Sequence, residues 1–323
     1  MRAMILAAGL GTRLRPLSDL RAKPALPVLG RPVIAWLLEF LAQHDVDEVA
    51  INLHHRPESI EDAITRYAPA GLSITYSRES QPWGTGGGIA ALGEFLSASD
   101  PAVVLAGDTL LDHDLTGLAR AHRESGADAT LLLQPKSPET AGFNTVGIDD
   151  LGRVRRIADR FDLGGETDAG VFVGLRLLSP GLFDQLPETA PGTAFEDLTD
   201  WLMPLAAAGA ADIRGYVAEA DALAWCPVGT PEEYLAANLS PPTVRYFGAD
   251  PPAAPGTRIA GDGADVILGP GAVLGPGARL ARCVVWEDEK VPPGFVAEQG
   301  VFADGRFYSC KPGSPPGSAA SKE

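Results

Sequence analysis

Three cysteines in 323 residues are too few for a disulfide framework. Cys226, Cys283 and Cys310 also lie too far apart to form a C-x-x-C pair for zinc or redox chemistry. Scattered thiols suit a reducing cytosol, so a cytoplasmic location is expected. No apolar run is long enough to span a bilayer. The first apolar stretch is too short for a secretory signal and gives way at once to a charged loop, so no membrane partner is expected. Cations are in deficit: 26 Lys and Arg face 42 Asp and Glu, for a formal charge of −16. Most of such a surface repels a polyanion, which argues against a nucleic-acid partner. No Ser-His-Asp or Cys-His set stands out.

The few cations are unevenly placed. Arg2, Arg13, Arg15, Arg21, Lys23 and Arg31 face one acid, Asp19, within the first 31 residues. That basic island suits a compact anion such as a nucleoside triphosphate. Arg2 and Arg31 are expected only to solvate the surface. The remaining composition, 45% hydrophobic and 21% charged, is that of an ordinary globular protein. The length permits one large α/β domain with something smaller attached.

Strand and helix patterns alternate through the first half. Strands are predicted at 4–8, 48–53, 72–77, 102–108 and 129–134. Helices are predicted at 32–44, 57–68, 88–96 and 114–125, two of them opened by Pro32 and Pro57. Such alternation implies a mixed, mostly parallel sheet covered by helices on both faces, with ligands beyond the carboxyl ends of its strands. From Phe143 the pattern loosens into strands that include antiparallel ones. A helix at 195–208, strands at 213–217 and 223–228, and a helix at 231–238 follow. Residues 241–258 are proline-rich and read as a linker or packed extended segment. Then Leu268, Leu274 and Leu280 recur every six residues, as do Ala272 and Ala278. That period is the mark of a short parallel β-helix-like segment over 259–310. The alternative is a Pro/Gly-rich tail wrapping the main domain. Residues 311–323 are small and polar and read as disordered.

One loop carries most of the chemical information. "ILAAGLGTRLRP" (Ile5 to Pro16) runs from an apolar strand into Gly9, Gly11, Thr12 and Arg13. It is not a Walker A loop, because no GK[ST] follows. It is a poor dinucleotide turn, because Leu14 stands where a small residue is wanted and Pro16 breaks the helix. A phosphate cradle with Arg13 turned inward fits it better.

The stretch "LAAGLGTRLRPLS", followed by "KPALPV", resembles the sugar-1-phosphate nucleotidyltransferases, whose pattern is LAAGxGTRLxPLT…KPLxPV. "GTGGGIAAL", "VLAGD" and "VGTPEEYLAAN" fall in that family's order, so the resemblance covers about residues 1–240. In overall look the chain is nearest to members acting on mannose 1-phosphate or N-acetylmuramate 1-phosphate. The resemblance implies transfer of a nucleotidyl group from an NTP to a sugar 1-phosphate, with Mg²⁺ as cofactor and pyrophosphate as by-product. Arg13, Lys23 and Asp108 are implied as catalytic residues, with Asp108 as metal ligand. Leu6, Ala8, Gly9, Gly11, Thr12, Arg13, Gln81 and Gly86 are implied on the nucleotide side. Asn144, Asp159 and Asp168 are implied on the sugar-phosphate side. An amide at Gln81 matches the donor and acceptor of a pyrimidine, while Glu79 nearby keeps guanine open. Gly86 would let the backbone approach the base.

Three departures stand against the family pattern. "WCPVGTP" (Trp225 to Pro231) has Pro227 where the family carries its second metal-binding Asp. Asp112 is the candidate substitute; Cys226 is too soft for Mg²⁺. Asp159-Arg160-Phe161 replaces Glu-Lys-Pro, and Asp168 replaces a common Asn. The alternative reading is therefore a homologue that binds nucleotide or nucleotide sugar and regulates a partner without turnover. The apolar repeat tail suits packing on a second copy of the chain, hence a homo-oligomer.

Overall fold

Along the first strand, successive side chains enter two different cores. Ala3 and Ile5 join one apolar cluster and Met4 the other. The same two-residue alternation recurs at Val103 and Leu105 against Ala102 and Val104. A sheet with two apolar faces must be covered on both, and this one is. The structure is a computed structural model that describes residues 1–189, 192–219, 221–247, 257–259 and 265–311.

Ten strands make the main sheet: β1 (Arg2–Leu6), β2 (Glu48–Leu53), β3 (Ser73–Arg78), β4 (Ala102–Ala106), β5 (Ala129–Pro135), β6 (Thr145–Ile148), β7 (Val154–Ile157), β8 (Phe161–Asp162), β9 (Asp168–Leu178) and β10 (Ile213–Val217). Their order is β8-β7-β6-β9-β4-β1-β2-β3, with β5 beside β9 and β10 beside β5. The β4-β1-β2-β3 half is parallel, as are β5 and β10; the pairings of β6 to β9 are antiparallel. Five helices, α1 (Val33–Ala42), α2 (Pro57–Tyr67), α3 (Gly84–Ala91), α4 (Leu115–Ser125) and α5 (Pro231–Leu239), supply much of the cover. α1, α2, α4 and α5 lie on one face, and α3 lies on the other with Leu182, Trp201 and Leu202.

Strand β9 changes partner halfway. Asp168–Val171 pair with β6, and Leu175–Leu178 pair with β4. Between them Gly174 takes φ +89°, where a Cβ would come within 2.7 Å of Ala106 Cβ. The sheet forks at this point, and the fork opens beside the carboxyl ends of β1 and β4.

Residues 265–311 build a second sheet. Val266–Leu268, Arg279–Val285 and Val296–Ala303 stack in parallel. Val266 pairs with Cys283 and Cys283 with Gly300, a repeat of 17 residues per coil. The six-residue spacing marks sides of each coil. Gly269 sits at a corner where a Cβ would meet Glu287 N at 2.5 Å. The apolar face of this β-helix-like segment packs on its own chain. Ile267, Val284, Trp286 and Val301 share a core with Tyr234 and Leu235 of α5.

Several sequence expectations shift. The helix predicted at 88–96 is two helices, Gly84–Ala91 and Gly93–Ser97. The strand predicted to reach Asp108 stops at Ala106, because Gly107 turns the chain into a short strand at Thr109–Asp112 that pairs with Ala224–Pro227. The helix predicted at 195–208 opens as a wide π-type turn at Asp197–Leu202; Pro204 has no N–H with which to continue an α-helical ladder there. Arg2 and Arg31 pack instead of merely solvating: Arg2 lies over Phe95 and Arg31 over Trp36. In the proline-rich stretch, Val244 and Tyr246 are buried. Residues 248–256, 260–264 and 312–323, including the tail predicted to be disordered, lie outside the described residues.

Candidate functional site

The loop after β1 is tied down from below and open above. Ala7 N–H donates to Asn52 Oδ1 at 2.7 Å. Gly11 takes φ +63°, and its carbonyl accepts from Ser18 Oγ at 2.8 Å. A Cβ on Gly9 would meet nothing within 4 Å, so that glycine leaves room for a ligand against the backbone. Gly107 lets the β4 turn approach β1: its N–H donates to Leu6 O at 2.9 Å. That approach sets Asp108 beside Lys23, whose ammonium contacts Asp108 Oδ2.

A third segment closes this corner. Val228 N–H donates to Asp108 O at 2.8 Å. A Cβ on the next residue, Gly229, would stand 3.3 Å from Arg13 Nη2 and 3.6 Å from Lys23 Nζ. Glycine there lets both cations come close to the backbone. Thr230 caps α5, and Glu233 reaches back to accept from Gly229 N–H at 2.7 Å. Three stretches distant in sequence thus converge on one cationic corner.

The corner is one end of a cleft of about 800 Å³. Leu6, Ala8, Gly9, Gly11, Thr12, Arg13, Lys23 and Asp108 all line it. So does Glu79, a buried carboxylate whose two oxygens accept from Asn52 Nδ2 at 2.6 Å and Trp83 N–H at 2.8 Å. Gln81 is exposed and is not among the lining residues, although Pro82 beside it is. Gly86 is buried away from the cleft. A Cβ there would meet the Phe195 ring at 2.3 Å, so this glycine makes room for Phe195 where the sequence suggested room for a base.

Elsewhere in the lining, Asn144 faces the cleft, but Asp159 and Asp168 do not. Ala158 and Arg160 take the inward places on either side of Asp159. Asp168 begins β9, exposed, with its carboxylate accepting from Ala169 N–H at 2.7 Å. Four residues that sequence reasoning missed are here. Phe143 and Trp225 meet edge to face at 5.0 Å, and both line the cleft. Arg176 and Asp197 form a buried ion pair at 2.6 Å on its wall, and Asp197 also accepts from Thr85 Oγ1 at 2.6 Å. An arginine inside the otherwise apolar run of β9 was the signal that could have drawn attention to this wall.

One expectation about metal donors changes, and another stands. Asp112 is buried and takes Arg245 in a double hydrogen bond, at 2.7 and 3.0 Å on Oδ1, and it does not line the cleft. It is therefore no substitute for the missing carboxylate. Burial pushes the Cys226 thiol up to about 11, so it stays protonated.

A family model described as nucleotidyl transferase matches residues 2–242. The chain belongs to the nucleotidyl transferase family. Mannose-1-phosphate guanylyltransferase of Mycobacterium tuberculosis is 32% identical over 309 residues, 92% of this chain and 83% of its own length. UTP–glucose-1-phosphate uridylyltransferase of Synechocystis is 33% identical over 219 residues, 63% of this chain and 56% of the relative. Among solved structures, HddC from Yersinia pseudotuberculosis superimposes with a TM-score of 0.59 at 23% identity, over 73% of this chain and 97% of that one. That likeness is one of fold. In this nucleotidyl transferase, the residues on the cationic corner come from the same stretches that carry the sequence resemblance. The aromatic pair and the Arg176–Asp197 pair line the same cleft as that corner.

Proposed function

We propose that this chain transfers a nucleotidyl group from a nucleoside triphosphate to a sugar 1-phosphate. A sugar phosphate oxygen bonds to the α-phosphorus, the bond from that phosphorus to the bridging oxygen breaks, and pyrophosphate leaves with the electron pair. The observation that carries the reading is the convergence of Arg13, Lys23 and Asp108 above the open Gly9–Gly11 loop. The names of the two relatives, a guanylyltransferase and a uridylyltransferase of sugar 1-phosphates, support it. Residues 1–240 would form the transfer unit, and a reducing cytoplasm suits the three free thiols of the chain.

A phosphomonoester has its second pKa at about 6, so the nucleophile arrives ionised and needs no general base. The task is to bring anions together and to steady the leaving pyrophosphate. Arg13 offers a planar two-pronged donor for the β- and γ-phosphates. Lys23, on a flexible stem, supplies a point charge to the reacting phosphates. Backbone at Gly9, Gly11 and Thr12 lets phosphate oxygens approach closely, with Leu6 and Ala8 shaping the entry. Asn144 and Arg160 face the place of the sugar phosphate.

Among the described residues, Asp108 is the carboxylate that lines the cleft beside Lys23, and the Pro227 side chain supplies no donor. Among the described residues no cluster of three or more His, Cys, Asp or Glu side chains could hold a metal ion. This donor set fits Mg²⁺ when substrate phosphates and waters complete the shell, since Mg²⁺ is often held by one or two carboxylates. Bound beside Asp108, the ion would neutralise developing phosphate charge.

Pro227 favours one second reading, a nucleotide-binding regulator without turnover. Pyrophosphate release with Mg²⁺, measured across nucleoside triphosphates and sugar 1-phosphates, separates the two. Release with one pair, lost in Asp108→Asn and strongly reduced in Arg13→Ala, is the expected result. Saturable nucleotide binding without release from any pair would replace it with the regulator.

A further inference from the structure

Lys23 stands in a segment that the appended β-helix holds from outside. Two residues before it, the Arg21 guanidinium lies over the Trp286 ring, 4.5 Å from the centroid. Arg21 Nη1 also pairs with Glu287 Oε1 at 2.6 Å. Both partners belong to the turn that follows the strand Arg279–Val285. Trp286 is in turn fixed: its Nε1–H donates to Tyr234 Oη at 2.9 Å, and Tyr234 donates to Pro27 O at 2.7 Å. Asn238, one turn along α5, accepts from Leu29 N–H at 2.9 Å. Ala22, between Arg21 and Lys23, donates its N–H to Ser59 Oγ at 3.0 Å. The stretch 21–29 is therefore fastened at Arg21, Ala22, Pro27 and Leu29. The Lys23 side chain is 12% exposed, and its ammonium meets Asp108 at the cleft.

We propose that the β-helix is a positioning part of this site, with Trp286 and Glu287 holding Arg21 so that the Lys23 turn stays against Asp108. The inference rests on the assignment of Lys23 to phosphate handling. Its physical basis is economy of freedom. A lysine stem has several rotatable bonds, and its ammonium is useful only where the phosphates react. A stacked and ion-paired arginine two residues away limits where that stem can start. A planar stack with one ion pair orders its backbone more than either contact alone. Arg21, Trp286 and Glu287 are positioning residues, since none of them lines the cleft.

The test compares Arg21→Ala, Glu287→Ala, Arg21→Lys and the swapped pair Arg21→Glu with Glu287→Arg in the full chain. Each of the two alanine variants is expected to lower kcat about tenfold, with KM for the triphosphate moving less than about threefold. Arg21→Lys, which keeps charge but not the planar stack, should fall between, and the swap, which restores the ion pair but not the stack on Trp286, should recover only part of the loss. Acylation of Lys23 by an amine-reactive ester, followed by mass spectrometry, should speed up at least about threefold in both alanine variants. Unchanged kcat with unchanged Lys23 labelling would overturn the proposal. So would a drop in kcat accompanied by faster labelling of lysines throughout the chain, which would mean general loosening. Lys23→Ala retaining full activity would remove the role of Lys23 itself, a different failure from an inert Arg21.

Discussion

Gly86→Ala discriminates between two roles for the glycine run. The new methyl would stand 2.3 Å from Cδ2 and Cε2 of Phe195 and 3.0 Å from Asp197 N. Carbon atoms pack at about 3.5–4.0 Å, so the ring must retreat by more than about 1 Å. It has little room to do so. Phe195 N–H donates to Trp83 O at 3.0 Å, and its carbonyl accepts from Gly86 and Gly87 at 2.9 and 3.3 Å. Overpacking of this kind costs about 1–3 kcal/mol, and alanine returns up to about 1 kcal/mol of helix propensity. The net spans about 0–3 kcal/mol and centres on a destabilisation of about 1.5 kcal/mol, or a Tm lower by about 3–6 °C. Thermal unfolding followed by circular dichroism reads this directly. Gly93→Ala is the control, because its Cβ would meet Leu186 Cδ1 at an ordinary 3.4 Å and should leave Tm nearly unchanged. An unchanged Tm in Gly86→Ala, with KM for the triphosphate raised instead, would refute the packing argument and restore the base-contact role.

Asp112→Asn should lower stability by weakening the pair with Arg245 while leaving the Mg²⁺ concentration dependence of turnover unmoved; a shifted dependence would return Asp112 to the metal site. Tyr234→Phe leaves Trp286 Nε1 without its partner in a buried place, while Pro27 O keeps a long bond from Asn238 Nδ2 at 3.5 Å, so urea unfolding should report a loss of about 1–3 kcal/mol, and a loss near zero would mean the bridge is idle. Burial raises the thiols of Cys226 and Cys310 from 9.0 to about 11 and about 12. The unfolded chain therefore gives up those protons first as pH rises, so stability is full below pH 9 and declines from there toward pH 12. Cys226→Ala should flatten part of that decline, and an unaltered profile would show that other groups cause it.

The cationic corner was legible because most of its groups are close neighbours in the chain. Gly9 to Arg13 are consecutive, and Asp108 sits in the turn two residues past an apolar strand whose position the alternation fixes. The strands at 48–53 and 213–217 begin and end where the apolar pattern says. The part of the cleft around Asn144 and Arg160 was much less legible. Its strands β6, β7 and β8 are neighbours in the sheet as in the chain, but which side chain faces inward depends on register and turn conformation. Asp159 illustrates the cost of that: with the turn at Ala158 in a left-handed conformation, φ +51°, its two neighbours face inward and it does not. Arg176 and Asp197 lie 21 positions apart on different elements, and nothing local announces that they will pair. Gly86 was misread for a related reason, since the segment that needs its missing side chain arrives from more than 100 residues away.

The change of partner along β9 divides the labour of this protein in a way that bears on its history. One half of that strand belongs to the parallel framework carrying the phosphate loop, and the other half to an antiparallel ribbon carrying Asn144 and Arg160. The two halves are joined by β9 and by β5, which pairs with it along both, so substitutions in the turns of the ribbon, away from those two strands, can reshape one wall of the cleft while the framework stays in place. A lineage built on this plan can vary that wall while the loop after β1 is inherited intact.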